Sequence, residues 1–337
     1  MVRSLPVPAL VLSIAVTLCS LPLPPPAQAA EPVATFSIVG CDLETGELGV
    51  AVQSKFFAVG SVVPWASAGV GAIATQAFGN TTYGPEGLRL LAAGHSPEEV
   101  IAELTGADEL RARRQLGIVD AGGRSASYTG DECSAWAGHL VGEHYAAQGN
   151  ILTGEEVVRA MARAFEETTG RFGEKLMRAL EAGQAAGGDS RGMQSAAMLI
   201  VKEKGGYGGY NDRYCDLRVD DHANPIAELR RIFDLWKWNA LVFEGYTRAE
   251  SGEWEAAFRL AEELIALKPD EGESWYHPAC FYSKAGRRED ALRRLAKAVE
   301  RDPSLGARAR SDPDFAPLEK DAEFLRLTSA GEKQPGE

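Results

Sequence analysis

The sequence predicts an α+β chain: a four-layer αββα sandwich followed by an all-α region. Three observations predict it. From Thr35 to about Val219, β-like and helical runs follow in the order ββ, β, αα, ββ, β, αα, ββ. Antiparallel strands interrupted by two helical hairpins suit two sheets packed face to face with a helical layer outside each. From about Pro225 the chain turns helical and richer in charge and Trp, and Gly252, Ala257 and Pro269 recur as Gly286, Ala291 and Pro303, a period of 34 residues.

Residues 1–29 read as a targeting signal. Arg3 supplies a short basic start, Leu5 to Leu21 is largely apolar, and Pro22, Pro24, Pro25 and Pro26 break the run. Ala27-Gln28-Ala29 has the A-x-A form of a cleavage site. The run is short for a spanning helix, so a cleaved signal is favoured over an anchor. A lipoprotein reading through Cys19 is weaker, because Leu18 before it is not small. No later segment is apolar enough to span a bilayer, and an extracytoplasmic protein, periplasmic or secreted, is expected.

The formal charge of the 337 residues is −13, with no basic stripe, which argues against nucleic acid and anionic membrane as partners. Cys41, Cys133, Cys215 and Cys280 are widely spaced and read as buried free thiols, although export permits disulfides. His95, His139, His144, His222 and His277 lack zinc-ligand spacing. Asp220-Asp221-His222 before Asn224-Pro225 reads as strand-to-helix capping rather than a metal site. No metal and no cofactor are expected.

The elements follow in order. Thr35–Cys41 and Leu48–Ser54 flank Asp-Leu-Glu-Thr-Gly-Glu, a hairpin signal. Ala68–Thr75 reads as a buried strand of small residues. Tyr83–Gly94 and Pro97–Gly106 read as helices, the second opened by Ser96, Pro97 and Glu99 in a capping box. Gln115–Val119 and Ser125–Thr129 form another hairpin, and His144–Gln148 a short strand. Thr153-Gly154-Glu155-Glu156 caps a helix to about Thr168, partnered by Glu174–Ala186. Ser195–Lys202 and Arg213–Val219 are the last strands, joined by a glycine loop carrying Tyr207 and Tyr210.

The sandwich is assigned to residues 35–224, a helical region to 225–328 and a disordered tail to 329–337. The 34-residue period is that of tetratricopeptide helix pairs. Trp275, Ala279, Tyr282, Ala291, Leu295, Ala298 and Pro303 fit the second unit, whereas the first keeps only Leu241, Gly245, Ala257 and Pro269. Helices at Ile226–Trp236 and Asp314–Leu327 would cap so short a stack.

Long motifs carry a resemblance. TFSIVGCDLETGELGVAVQSKFFAVGSVVPWASAGVGAIATQ, NTTYGPEGLRLL, RRQLGIVDAGGR, WAGHLVGEHYAAQGNIL, GGDSRGMQSAAMLIV and GGYGGYNDRYCDLRVDDHANPIAELR resemble the family catalogued as domain of unknown function 1028, grouped with the N-terminal-nucleophile (Ntn) hydrolases. The resemblance runs from Thr35 to about Leu235 and implies an Ntn-like sandwich. It also implies a mechanism in which a terminal Thr, Ser or Cys attacks an amide carbonyl and its own α-amine accepts the proton. Such an amine has a pKa of about 7.7–8.0, suited to base work near neutrality.

Thr35 is the candidate nucleophile, and an ordinary β-branched first-strand residue is the alternative. Ala30-Glu31-Pro32-Val33-Ala34 separates it from the signal cut, so it becomes terminal only through a second cleavage, such as autoproteolysis at Ala34-Thr35. Folding the hairpin about Asp42–Glu47 brings Thr35 opposite Ser54, with Lys55 next in line. Ser54 stands where the superfamily's threonine proteases are expected to carry a carboxylate. Lys55 either holds the amine neutral by like-charge repulsion or is a surface lysine.

Gln148-Gly149-Asn150, between a strand and a helix, offers an oxyanion hole or a turn. The loop Gly187 to Ser195 looks like the one in threonine-type Ntn sites that sends an Asp and a Ser toward the amine, implicating Asp189 and Ser195. Arg191 pairing with Asp189 is the structural alternative. Tyr207 and Tyr210 form a substrate or subunit lip, or a long hairpin turn.

The functional expectation is an exported Ntn-type amidohydrolase acting on a small amide or peptide. Thr35, Lys55, Asn150, Asp189 and Ser195 would be catalytic, and Ser54, Gln148, Tyr207 and Tyr210 would bind substrate. The alternative is a non-catalytic Ntn-fold binding protein whose helical tail recruits a protein partner. A homo-oligomer is expected.

Overall fold

The computed structural model describes residues 35–329. The signal, its cleavage and the residues before Thr35 lie outside that range, as does the tail after Ser329.

Strands β1 (Thr35–Asp42) and β2 (Glu47–Ser54) form the expected hairpin, in register from Asp42↔Glu47 to Thr35↔Ser54. Its turn follows from local chemistry. Asp42 Oδ1 accepts from the backbone N–H groups of Glu44 (2.9 Å) and Thr45 (3.0 Å), and Gly46 takes a φ of 71° that suits glycine.

Next come β3 (Pro64–Ser67) and β4 (Gly71–Ala77). The strand expected at Ala68–Thr75 thus starts later, because Gly69 at φ 69° turns the chain there. Helices α1 (Tyr83–Ala92) and α2 (Pro97–Gly106) follow, the second with both capping-box bonds between Ser96 and Glu99. Then come β5 (Arg114–Asp120), β6 (Ser125–Thr129), β7 (Gly138–Gly142) and β8 (Tyr145–Asn150). Helices α3 (Glu156–Glu167) and α4 (Phe172–Ala185) and strands β9 (Ser195–Val201) and β10 (Arg213–Val219) complete this part.

Sequence patterning misses β3 and β7. Both are short edge strands that are half exposed, and β3 opens with proline, so neither presents a buried alternating run. Thr153 does not cap α3 as expected. Its hydroxyl reaches the Gly188 carbonyl at 3.5 Å, and Glu155 holds the cap position without a side-chain bond.

Two antiparallel sheets result, one of six strands in the order β10-β9-β2-β1-β8-β7 and one of four in the order β3-β4-β5-β6. Side chains alternate across each strand. Val39, Val50, Val52, Ala146, Ala197 and Leu199 of the larger sheet pack against Ala72, Ala74 and Val119 of the smaller. The opposite face of the larger sheet, with Phe36, Ile38 and Ala147, packs on Met161 and Phe165 of α3 and Leu176 and Leu180 of α4. The outer face of the smaller sheet, with Ile73, Leu116 and Ile118, packs on Leu90 of α1 and on Val100 and Leu104 of α2.

The remaining helices are α5 (Pro225–Glu250), α6 (Trp254–Leu267), α7 (Glu273–Lys284), α8 (Arg288–Arg301), α9 (Ser304–Ser311) and α10 (Ala322–Ser329). The helix expected at Ile226–Trp236 is only the first half of α5. Asn224 caps it by accepting from Ala227 N at 3.3 Å, and Pro225 takes the first turn. Ile226, Leu229 and Phe233 enter the sandwich core, whereas Ala249 enters the helical core. α5 thus begins where the helical region was expected to begin, yet its first half belongs to the sandwich core and its C-terminal end to the helical core. The helix expected at Asp314–Leu327 divides into a 3-10 turn at Pro313–Leu318 and α10.

Candidate functional site

The register of the larger sheet brings four of the expected residues into one row. Thr35 pairs with Ser54 on one side and Asn150 on the other, and Ser54 pairs with Ser195. All four side chains stand on the strand face turned toward the smaller sheet, because Val39, Val52, Ala146 and Ala197 on that face line the inter-sheet core. The Thr35 hydroxyl donates to Ser54 Oγ at 3.1 Å. Ser195 Oγ donates to the Phe56 carbonyl (2.5 Å) and accepts from Val59 N (3.1 Å), so it braces the segment after β2.

Gln148-Gly149-Asn150 is the end of β8 itself, not the turn that follows, and this placement gives Asn150 its fixed position beside Thr35. A second polar row faces the first from the smaller sheet, where Gln76 pairs with Gln115 and Gln115 with Thr129. Gln115 Oε1 accepts from Gln76 Nε2 (2.8 Å) and Asn150 Nδ2 (2.9 Å). The two N–H groups of Gln115 Nε2 are shared among three acceptors, the Gly149 carbonyl (2.8 Å), Thr129 Oγ1 (2.9 Å) and the Gly138 carbonyl (3.2 Å).

One residue deeper, Gln148 Nε2 donates to Ser37 Oγ (2.7 Å), which donates to Gln76 Oε1 (2.6 Å). A Cβ at Gly117 would lie 2.1 Å from Gln148 Oε1, so only glycine leaves room for this amide between the sheets. Gln76, Gln115, Gln148 and Ser37 are fully buried. Gln76 and Gln115 escaped the sequence reading. Each is the single side-chain amide of its strand, GAIATQA or RQLGIVD.

The α4–β9 loop lies beside this row through the bridge Leu152↔Asp189. Asp189 is buried and accepts from Lys55 N (3.0 Å), Arg191 N (2.9 Å) and the Arg191 guanidinium (3.0 Å). The Arg191 pairing considered from the sequence is therefore formed. The ammonium of Lys55 is exposed and donates to the Met193 carbonyl at 3.2 Å, so it is the Lys55 backbone that meets Asp189.

Residues 35–229, more than half of the chain, match the family of unknown function DUF1028. The chain belongs to this family. It is also similar to protein SPO2555 from Silicibacter pomeroyi, a DUF1028 protein of known crystal structure, at 34% identity and a TM-score of 0.55 over 59% of this chain and 88% of that one. No curated protein matches it. The DUF1028 match takes in both sheets and the first turn of α5, so every residue of the two polar rows lies within it.

Two expected members stand apart from the site of this DUF1028 protein. Tyr207 and Tyr210, 92% and 89% exposed, lie in the β9–β10 connection. Ser195 starts β9 in the Thr35 row and Val201 ends it opposite Leu48, so that connection is at the far end of the sheet, roughly 20 Å away at ~3.3 Å per residue.

Thr35, Ser54 and Ser195 are fully buried and Asn150 is 1% exposed. Two cavities, of about 550 Å³ beside α1 and α2 and about 490 Å³ beside Ala66–Ala68 and Leu199, are lined by none of the row.

Burial, then Asp120 and Asp42, pushes the Cys41 thiol up to about 11, so it stays protonated near neutrality. All four cysteines among the described residues are free. In the helical region, ligand atoms of Cys280, Asp312 and Asp314 lie within 4.8 Å of one another. Lys284 Nζ on Asp314 (3.0 Å) and Tyr276 OH on Asp312 (2.7 Å) already engage both carboxylates, so a cation would compete with an ammonium. Asp221 and His222 serve the β10–α5 turn, accepting from Gln194 Nε2 (3.1 Å) and Asn224 N (3.0 Å) respectively. Among the described residues no helix is long and apolar enough to cross a membrane.

Proposed function

We propose that this DUF1028 protein is an exported Ntn-type amidohydrolase for a small amide or peptide, with Thr35 as nucleophile and, once terminal, as its own base. The observation that carries the reading is the placement of Thr35 at the start of a central strand, between a hydroxyl acceptor, Ser54, and a side-chain amide, Asn150. Thr35 Oγ attacks the amide carbon as the free α-amine takes its proton. The Asn150 amide donates to the oxygen that gains charge. The amine then passes the proton to the departing nitrogen, and water releases the acyl group by the same steps. Asp189 and Ser195 hold the backbone around Lys55 and Val59 and act as positioning residues.

The αββα layering is read as an Ntn-like sandwich. The helical region is read as a short tetratricopeptide-like stack used for docking or self-association. Supporting that reading, Gly252 and Gly286 stand at the α5–α6 and α7–α8 turns with φ of 74° and 72°, and Ala257 and Ala291 are both fully buried. In each pair the left-handed glycine ends one helix so that the next can fold back.

The complete burial of Thr35 favours a second reading, a non-catalytic binding protein of the same fold. The hydrolase needs two changes to the uncut chain: a free amine on Thr35 and a path to its hydroxyl. Cutting Ala34-Thr35 supplies the first by definition. Intact-mass measurement of the exported protein tests the reading. A mature chain beginning at Thr35, reactive with an amine-and-hydroxyl-directed epoxyketone and unreactive as Thr35→Ala, supports the hydrolase. A mature chain that keeps residues before Thr35 refutes it and leaves the binding protein.

A further inference from the structure

We propose that Gln115 is the positioning residue that clamps the Asn150 side-chain amide beside Thr35. Its structural half stands alone; its catalytic half rests on the hydrolase reading above. Gln115 lies on the opposite sheet and is completely buried. It grips the end of β8 at two adjacent points, giving a hydrogen bond to the Gly149 carbonyl at 2.8 Å and taking one from Asn150 Nδ2 at 2.9 Å. Further bonds from its Nε2 to Thr129 Oγ1 and the Gly138 carbonyl tie the same amide to β6 and the start of β7. Gln76, whose own oxygen accepts from Ser37, donates to the same Gln115 oxygen.

The consequence is geometric. An amide nitrogen carries two N–H groups in one plane. With one directed at Gln115, the plane of the Asn150 amide is set and its second N–H has a defined direction. Without Gln115 the Asn150 amide would rotate, and a donor must be aimed before charge develops for it to stabilise the transition state. The neighbouring side chains Gln148 and Ser54 are engaged elsewhere, the first by Ser37 and the second by Thr35.

The test uses the mature exported protein labelled with ¹⁵N at asparagine, and a β-lactone as acylating probe. In the probe reaction the Thr35 oxygen bonds to the lactone carbon, the ring C–O bond opens, and the proton taken up by the α-amine passes to the ring alkoxide. In the parent protein the Asn150 side-chain amide protons, assigned with Asn150→Asp, are expected to exchange slowly with water. Gln115→Leu is expected to speed that exchange and to lower the rate of Thr35 acylation, each by about tenfold or more.

Gln115→Glu covers the case in which the leucine variant does not fold. An ionised carboxylate keeps the acceptor for Asn150 and loses the donor for Gly149, whereas the protonated acid offers both. Asn150 protection, taken relative to intrinsic exchange at each pH, should therefore recover as pH falls, unlike the parent profile. Unchanged Asn150 exchange in Gln115→Leu, or a Gln115→Glu pH profile matching the parent, overturns the positioning role. A probe that spares the parent protein, or acylates Thr35→Ala equally, overturns the hydrolase reading, while the exchange measurement still decides the clamp.

Discussion

Thr35 and Ser54 face each other across the first hairpin, and the Thr35 hydroxyl donates to Ser54 Oγ at 3.1 Å. A serine there can orient the hydroxyl but cannot act as a carboxylate base. Under the hydrolase reading, proton acceptance falls to the α-amine that cleavage before Thr35 would free. This relationship divides the expected site residues into those near the hairpin's open end and those remote from it.

Tyr207 and Tyr210 belong to the remote group. Replacing both with Ala is expected to leave epoxyketone labelling of the processed protein within about twofold of the parent, because purely surface changes rarely reach a distant site. A tenfold loss, measured by intact mass against time, would restore them to the substrate-binding set.

Asp189 belongs to the near group, and its carboxylate braces the backbone at Lys55 and Arg191. Its side chain is 0% exposed, against 33% for Arg191. Asp189→Ala leaves Lys55 N and Arg191 N without their acceptor and should cost roughly 2–4 kcal/mol in urea unfolding. Arg191→Ala, at a partly solvated partner, should cost less. Equal costs would show that the ion pair, not the backbone bonds, is the stabilising element.

His277 is expected to make the helical region acid-sensitive. Burial, then the charge of Arg308, lowers its pKa from 6.5 to about 4, while Asp312 acts in the opposite sense. The folded state thus holds it neutral where the unfolded chain binds a proton. Its contribution is complete above about pH 6.5 and falls as pH drops toward 4, by roughly 2–3 kcal/mol at most. His277→Leu should flatten the fall in thermal midpoint between those pH values. An unchanged slope would assign the acid sensitivity to other groups.

Much of the site was legible before the fold. The hairpin pattern places Thr35 opposite Ser54, and the register agrees. The Asp189–Arg191 pairing was foreseeable from a separation of two residues. Lys55 was harder, because sequence distance cannot distinguish a residue's ammonium from its backbone N–H. The missed strands β3 and β7 are edges, where half-exposure erases the alternation that marks a strand. The position of Asn150 also depended on an element end, the least local part of any pattern.

The features readable from the chain alone are those whose causes are local. These are the Asp42–Gly46 turn, the Ser96 capping box, the paired helices at a 34-residue period and the polarity of each strand face. Which buried amides meet depends on the folded core. Gln115 reaches Asn150 across 35 residues, and Gln148 reaches Ser37 across 111. Those contacts depend on strand order within one sheet and on how closely the other sheet approaches. Both are set by packing of the whole core, and neither leaves a periodic trace in the chain.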